Sequence, residues 1–186
     1  MSQVIKMLDY NKNYLKLFNI EKDLIKSILK DNVVNIYHIG STSIPFIKSK
    51  PIIDIMVTVK DLNKVDELKD EFIKVGYEYL GEFGIKNRRY LRKGGDNRTH
   101  QIHIFSYLDK YNLTRHLAFK EYLLTHKDVA KEYEELKVKL ASLYPNDIEK
   151  YCDGKDEFVK SVEERALEWY KKNKELFIKK EKIFKI

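Results

Sequence analysis

Only one cysteine, Cys152, occurs in 186 residues. A lone thiol permits no internal disulfide, which excludes a stapled secreted scaffold and suits a reducing, cytoplasmic setting. Prolines are also scarce: Pro45, Pro51 and Pro145 are the three. No repeat, low-complexity tract or Pro/Gly-rich linker interrupts the chain. No apolar run approaches the ~18 residues of a membrane span, and Met1–Asp9 lacks the basic and apolar segments of a secretory signal. No membrane association is therefore expected.

What the chain has in quantity is charge. It carries 36 basic and 29 acidic side chains, a formal net charge of +7. Lys171–Ile186 holds seven lysines and two glutamates, so residues 1–170 carry only +2 of that total. Basicity alone is thus no argument for a nucleic-acid-binding body. The lysine-rich end reads as a solvated helix terminus or tail, with weak, non-specific nucleic-acid contact as the alternative. Residues 1–170 read as a single domain, helical from about residue 112.

Apolar residues recur at helical spacing from Asn11 to Leu29, and Val33–Ile39 is short and β-branched, as a strand requires. A second strand is expected over Ile52–Val59. A helix should run from Asp61 to Val75 and end at Gly76. Tyr77–Leu80 reads as a short strand, and Arg88–Lys93 and Gln101–Tyr107 flank the turn-forming Gly94–Asn97. Helical patterns then cover Thr114–Thr125, Asp128–Leu143 and Asp156 through Trp169. The expected class is α+β (mixed α/β): one mixed sheet with packed helices and a C-terminal helical segment.

The chemistry concentrates in Tyr37–Pro45 and Lys50–Val57. A strand ends in Gly40-Ser41, where glycine allows close backbone approach and Ser41, Thr42 and Ser43 add hydroxyls. Such a turn can hold phosphate oxygens. The next strand alternates Ile53, Ile55, Val57 and Val59 on one face and carries Asp54 on the other. A lone acid in an apolar strand is costly unless it is paired, metal-bound or at the sheet edge. It is either satisfied by an arginine or by loop N–H groups, or it is functional.

These residues resemble the GrpB family. His38-Ile39-Gly40-Ser41-Thr42-Ser43-Ile44-Pro45 and Lys50-Pro51-Ile52-Ile53-Asp54-Ile55 look like its signature. The resemblance continues through Gly81–Ile85, Arg88-Arg89-Tyr90, Arg92-Lys93, His100–Phe105, Arg115–Phe119 with Tyr122-Leu123, and Tyr151, Gly154-Lys155 and Phe158. That family is assigned to the nucleotidyltransferase superfamily, with the polymerase-β palm fold, and some members are fused to dephospho-CoA kinase. The resemblance implies a Gly-Ser turn that holds nucleotide phosphates. It also implies acids at i and i+2 of the following strand that, with a third acid, hold divalent metal for phosphoryl transfer. Here the i+2 position is Met56, a poor ligand for Mg²⁺. His103 or Glu82 would have to complete the set, a histidine shifting the preference toward Mn²⁺ or Zn²⁺. Otherwise the site works without metal, through arginines.

The expected catalytic residues are therefore Asp54, His103 and Glu82, with Asp54 and His103 as metal ligands. The expected phosphate- or nucleotide-binding residues are Gly40, Ser41, Thr42, Ser43, Arg88, Arg92, Arg115 and Lys155. Arg88 and Arg92 share a strand face, and guanidinium forks suit phosphate oxygens. Arg115, near an expected helix start, opposes the helix dipole and needs an acid or a ligand phosphate. Lys155 is expected in a loop before the last helix. His38 reads as a brace for Ser41, and Tyr14, Tyr122, Tyr133 and Tyr151 read as core-edge residues. The expected activity is nucleotidyl transfer from a nucleoside triphosphate or related phosphorylated ligand, with a binding module without turnover as the alternative. RNA association through the tail is a weaker third reading.

Overall fold

The computed structural model describes residues 4–173. Helix α1 (Asn13–Leu29) buries Tyr14, Phe18, Glu21, Ile25 and Leu29, a stripe at three- and four-residue spacing. Strands β1 (Val33–Ile39) and β2 (Ile53–Val59) follow, joined by a short 3₁₀ turn at Ser41–Ser43 and an ordered loop. The helix expected over Asp61–Val75 is two, α2 (Asn63–Glu67) and α3 (Lys69–Lys74), because Leu68 leaves helical geometry at φ −94° and ψ 11°. Gly76 ends α3 at φ +92°, a conformation that side-chain-bearing residues avoid.

Strands β3 (Tyr77–Tyr79), β4 (Arg89–Lys93) and β5 (His100–Ser106) complete a five-stranded sheet of order β1-β2-β5-β4-β3. β2 and β5 run parallel, and every other neighbouring pair is antiparallel. Helices α4 (Lys110–Thr125), α5 (Lys127–Leu143) and α6 (Ile148–Lys172) close the chain. The α+β class expected from the sequence is the class observed.

The parity of β2 and β5 divides the molecule. One face, with Ile53, Ile55, Val57, Val59, Ile102, Ile104 and Leu91, packs against α1, Val65 of α2 and Phe72 of α3 as one core. The other face carries Met56 and Phe105, packed with Leu113 and Leu117 of α4. A separate helical core joins α4, α5 and α6 to Ile44 and Ile47 of the β1–β2 loop. The three helices thus roof the end of the sheet where β1 stops and β2 begins.

Helix α6 starts at Ile148 rather than near Asp156. Asp147 caps it by accepting the Lys150 N–H at 3.0 Å. Gly154 therefore lies inside a helix, at a close approach: a Cβ there would collide with Leu140 of α5. Lys155 is a helical residue, not a loop lysine. The tail expected over 171–186 lies, beyond Asn173, outside the described residues.

Candidate functional site

Gly40 is where β1 turns. Its φ of +69° suits glycine, and a Cβ there would run into the Asp54 side chain. The register explains the closeness, since Ile39 pairs with Asp54 across β1 and β2. The Gly-Ser turn and the one acid of β2 are thus pressed together. Ser43 Oγ donates to the Gly40 carbonyl at 2.7 Å, so its hydroxyl serves the turn. His38 braces Thr42 rather than Ser41: Nε2 lies 3.0 Å from Thr42 Oγ1, which in turn donates to the Ile52 carbonyl at 3.1 Å. Since the Thr42 proton is used there, His38 Nε2 is the donor. Burial, then Lys120, lowers the His38 pKa to about 4. A neutral ring stacked on Phe18 at 4.9 Å fits that role.

The turn and Asp54 open into a cavity of about 460 Å³ between the sheet end and α4–α6. A smaller hollow of about 220 Å³ near Ile5 and Pro51 shares Lys50, Ile52, Arg98 and Ile148 with it. The smaller one is more apolar. The larger gathers the ionisable groups, and volume and chemistry both select it as the site.

Of the residues expected from the sequence, Gly40, Ser41, Thr42, Asp54, His103, Arg115 and Lys155 line this cavity. Four others do not. Ser43 is turned to the backbone. Glu82 is exposed, its carboxylate accepting the Asn87 N–H at 2.7 Å. Arg88 is buried, donating to the Glu82 and Phe83 carbonyls and lying over the Tyr90 ring at 4.8 Å. Arg92 pairs with Glu78 on the neighbouring strand at 2.7 Å. These three hold the 81–88 loop and the β3–β4 pair instead of facing the site. The Arg115 partner is an acid: Nη1 meets Glu163 of α6 at 3.1 Å. Because α4 begins at Lys110, Arg115 lies beyond the first turn, where the dipole matters less.

Three cations were missed by sequence reasoning: Lys50, Arg98 and Lys137. Lys137 left a signal, because it falls in phase with Ala130, Tyr133, Leu140 and Ala141 on the buried stripe of α5. Lys50 and Arg98 left none, as both sit in loops. The ammonium groups of Lys50 and Lys155 lie over the Tyr151 ring, at 5.0 and 5.9 Å, and make no hydrogen bond or ion pair among the described residues. Arg98 Nε is buried without a hydrogen-bond partner.

Asp54 is paired through its backbone with β1 and β5, but its carboxylate has no hydrogen bond or ion pair among the described residues. Burial raises its pKa to about 6, against the opposing fields of Lys50, Lys155 and Arg98. His103 pairs in register with Met56, and Gln101 with Asp54. Burial, then His116, Arg88 and Arg115, holds the His103 pKa well below its ordinary value. His103 is a neutral ring among cations, 3.4 Å from Arg88 Nη1.

This donor set does not fit a resident divalent metal. Met56 is fully buried. No group of three or more His, Cys, Asp or Glu side chains that could hold a metal ion exists among the described residues. The cavity wall carries five basic side chains, Lys50, Arg98, Arg115, Lys137 and Lys155, against Asp54 and Glu163. Hard cations want several oxygen anions, and this wall offers the reverse.

The family model described as GrpB protein matches residues 4–165. The chain belongs to the GrpB family. Similar proteins include UPF0157 protein YqkA of Bacillus subtilis, 40% identical over 167 residues, covering 90% of this chain and 48% of that protein. Glutamate-rich protein GrpB of Alkalihalophilus pseudofirmus is 36% identical over 162 residues, covering 84% of this chain and 92% of that protein. The chain thus spans about half of the Bacillus relative and nearly all of the other. Among solved structures, the conserved protein GrpB from Enterococcus faecalis superposes with a TM-score of 0.86 at 44% identity, covering 89% of this chain and 99% of that one. Among the described residues, no helix is long and apolar enough to cross a membrane.

Proposed function

We propose that this member of the GrpB family binds a phosphorylated small molecule, a nucleoside triphosphate or related phosphometabolite, in the cavity beside Gly40 and Asp54. Positive side chains rather than a resident metal neutralise the phosphates. The observation that carries this reading is the gathering of four cations, Lys50, Arg98, Arg115 and Lys155, in one cavity against two carboxylates, one of which is already paired to Arg115. Lys50, Lys155 and Arg98 are the cations left free for a ligand. A buried, unpaired cation is costly, and an incoming anion relieves that cost. Ser41 lines the same wall and completes the phosphate cradle, while the Thr42 hydroxyl is spent on the Ile52 carbonyl.

A second reading is nucleotidyl transfer, and the raised pKa of Asp54 favours it. A carboxylate titrating near 6 is a competent general base at neutral pH. An acceptor hydroxyl would attack the α-phosphorus. Its oxygen–phosphorus bond forms, the bond to pyrophosphate breaks, and the hydroxyl proton passes to Asp54. The expected divalent cofactor, Mg²⁺, Mn²⁺ or Zn²⁺, would then enter with the nucleotide.

Calorimetric titration with ATP, pyrophosphate and coenzyme A tests the first reading, in EDTA and then with each metal. Binding of at least one ligand should persist in EDTA, and Lys155→Met should weaken it ~10–100-fold, the worth of one charge-assisted contact. Absence of binding to all three, or indifference to Lys155→Met, overturns the proposal.

A further inference from the structure

Lys137 is buried, at 3% exposure, on the apolar stripe of α5, and makes no ion pair among the described residues. Its Nζ donates to the Lys48 carbonyl at 2.7 Å and lies 3.0 Å from Ser41 Oγ, above the Tyr133 ring at 4.6 Å. Unlike Lys50 and Lys155, it is committed to the protein. Four groups face it: Glu134 from its own helix, Lys155 from α6, Lys50 from the loop before β2, and Tyr133. Burial, reinforced by the two lysines and opposed by Glu134, lowers its pKa to about 7. Near neutrality a large fraction of Lys137 is therefore the free amine. With one N–H fixed on the Lys48 carbonyl, the amine can turn its lone pair to the Ser41 hydroxyl. Nucleophile, base and orienting group then stand in the order that activated serines require. Ser41 itself lines the cavity, directly after the Gly40 bend.

We propose that Ser41 is a nucleophile activated by Lys137, and that it accepts a phosphoryl group from a phosphoanhydride bound in the cavity. This rests on the phosphate-binding reading for its donor. Ser41 Oγ attacks the terminal phosphorus, the oxygen–phosphorus bond forms, and the phosphoanhydride bond breaks. The Oγ proton passes to Lys137 Nζ. The leaving group is the rest of the anhydride, a nucleoside diphosphate when ATP is the donor, and it departs against the free charges of Lys50, Lys155 and Arg98. The product is a phosphoserine at position 41, next to the ammonium its formation created. Nucleotidyl transfer with an external hydroxyl needs neither Lys137 nor a covalent serine, so the two chemistries are separable.

A fluorophosphonate reagent reads the serine directly, followed by intact mass and peptide mapping on the full chain. Ser41 should be the modified residue, while Ser43, bonded to the Gly40 carbonyl, is spared. The labelling rate should rise ~tenfold per pH unit below about pH 7 and level off above it. Lys137→Met should slow labelling ~100-fold or more, and Lys137→Arg, which cannot surrender a proton, should fail equally. Circular dichroism confirms that each variant is folded. Unlabelled Ser41 in the folded wild type, or equal labelling in Lys137→Met, overturns the proposal. Incubation with ATP tests the donor: wild type should gain one phosphoryl mass on Ser41 and Ser41→Ala should not. Labelling by the reagent with no calorimetric binding of any phosphate sinks the phosphate-site reading and leaves the activated serine standing. Binding of ATP with no mass gain sinks the transfer.

Discussion

Two acids sit within the sheet region on opposite faces, and they are treated in opposite ways. Glu21 projects from α1 into the closed face at 4% exposure. It accepts the Tyr77 hydroxyl at 2.7 Å and the Lys93 ammonium at 3.1 Å, with His100 Nε2 at 3.8 Å. Asp54 projects from β2 toward the open face and has none of these. The fold therefore can satisfy a buried carboxylate and does so where the role is structural. At Asp54 it leaves the acid unpaired, holds free cations at a distance and raises the pKa. An acid kept unsatisfied beside a cavity marks a site, because its cost is recovered only when something binds.

Substitution should separate the two acids most clearly. Glu21→Ala leaves Lys93 and His100 facing an apolar core and should cost about 3 kcal/mol by urea unfolding, with no change in ligand affinity. Asp54→Asn should do the reverse. The folded pKa of Asp54 lies above its ordinary 3.8, so between pH 3.8 and 6 the folded chain holds a proton that the unfolded chain releases. This group's contribution to stability thus falls as pH rises across that interval, by up to about 3 kcal/mol above pH 6. Asp54→Asn should therefore melt several degrees above wild type at pH 7.5 and level with it at pH 3.5. A lower melting point at pH 7.5 would mean that Asp54 is paired after all.

Smaller effects sharpen the same contrast. Gly40→Ala forces a Cβ into Asp54 at positive φ and should cost about 2 kcal/mol by thermal melting. Gly95→Ala, at φ +54° in open space, should cost about half of that. Arg92→Met removes a partly exposed pair with Glu78 and should cost under about 0.5 kcal/mol, with ligand binding intact. A marked affinity loss in Arg92→Met would return that arginine to the site.

The sheet was legible because strand parity is a local property. Ile53, Ile55, Val57 and Val59 alternate with Asp54 in the sequence as they do in space. The signature turn was legible because Gly40 and Asp54 are set by adjacent strands. The start of α6 was not, since Gly154 weakens the helical pattern for a reason that only its contact with Leu140 reveals. The cations of the site were divided the same way. Lys137 could have been found as the one charge on an apolar stripe, the sign that also marks Glu21 in α1. Lys50 and Arg98 reach the cavity only through the tertiary path of their loops. Arg92 was read from strand parity alone, which does not show that Glu78 stands opposite it.

Diffraction from crystals soaked in tripolyphosphate, first with EDTA and then with Mg²⁺, bears on the central point without any assay. The account requires phosphate density in contact with Lys50, Lys155 and Arg98 under both conditions. Density confined to another surface, or phosphate that enters only with Mg²⁺ held on Asp54, would contradict it.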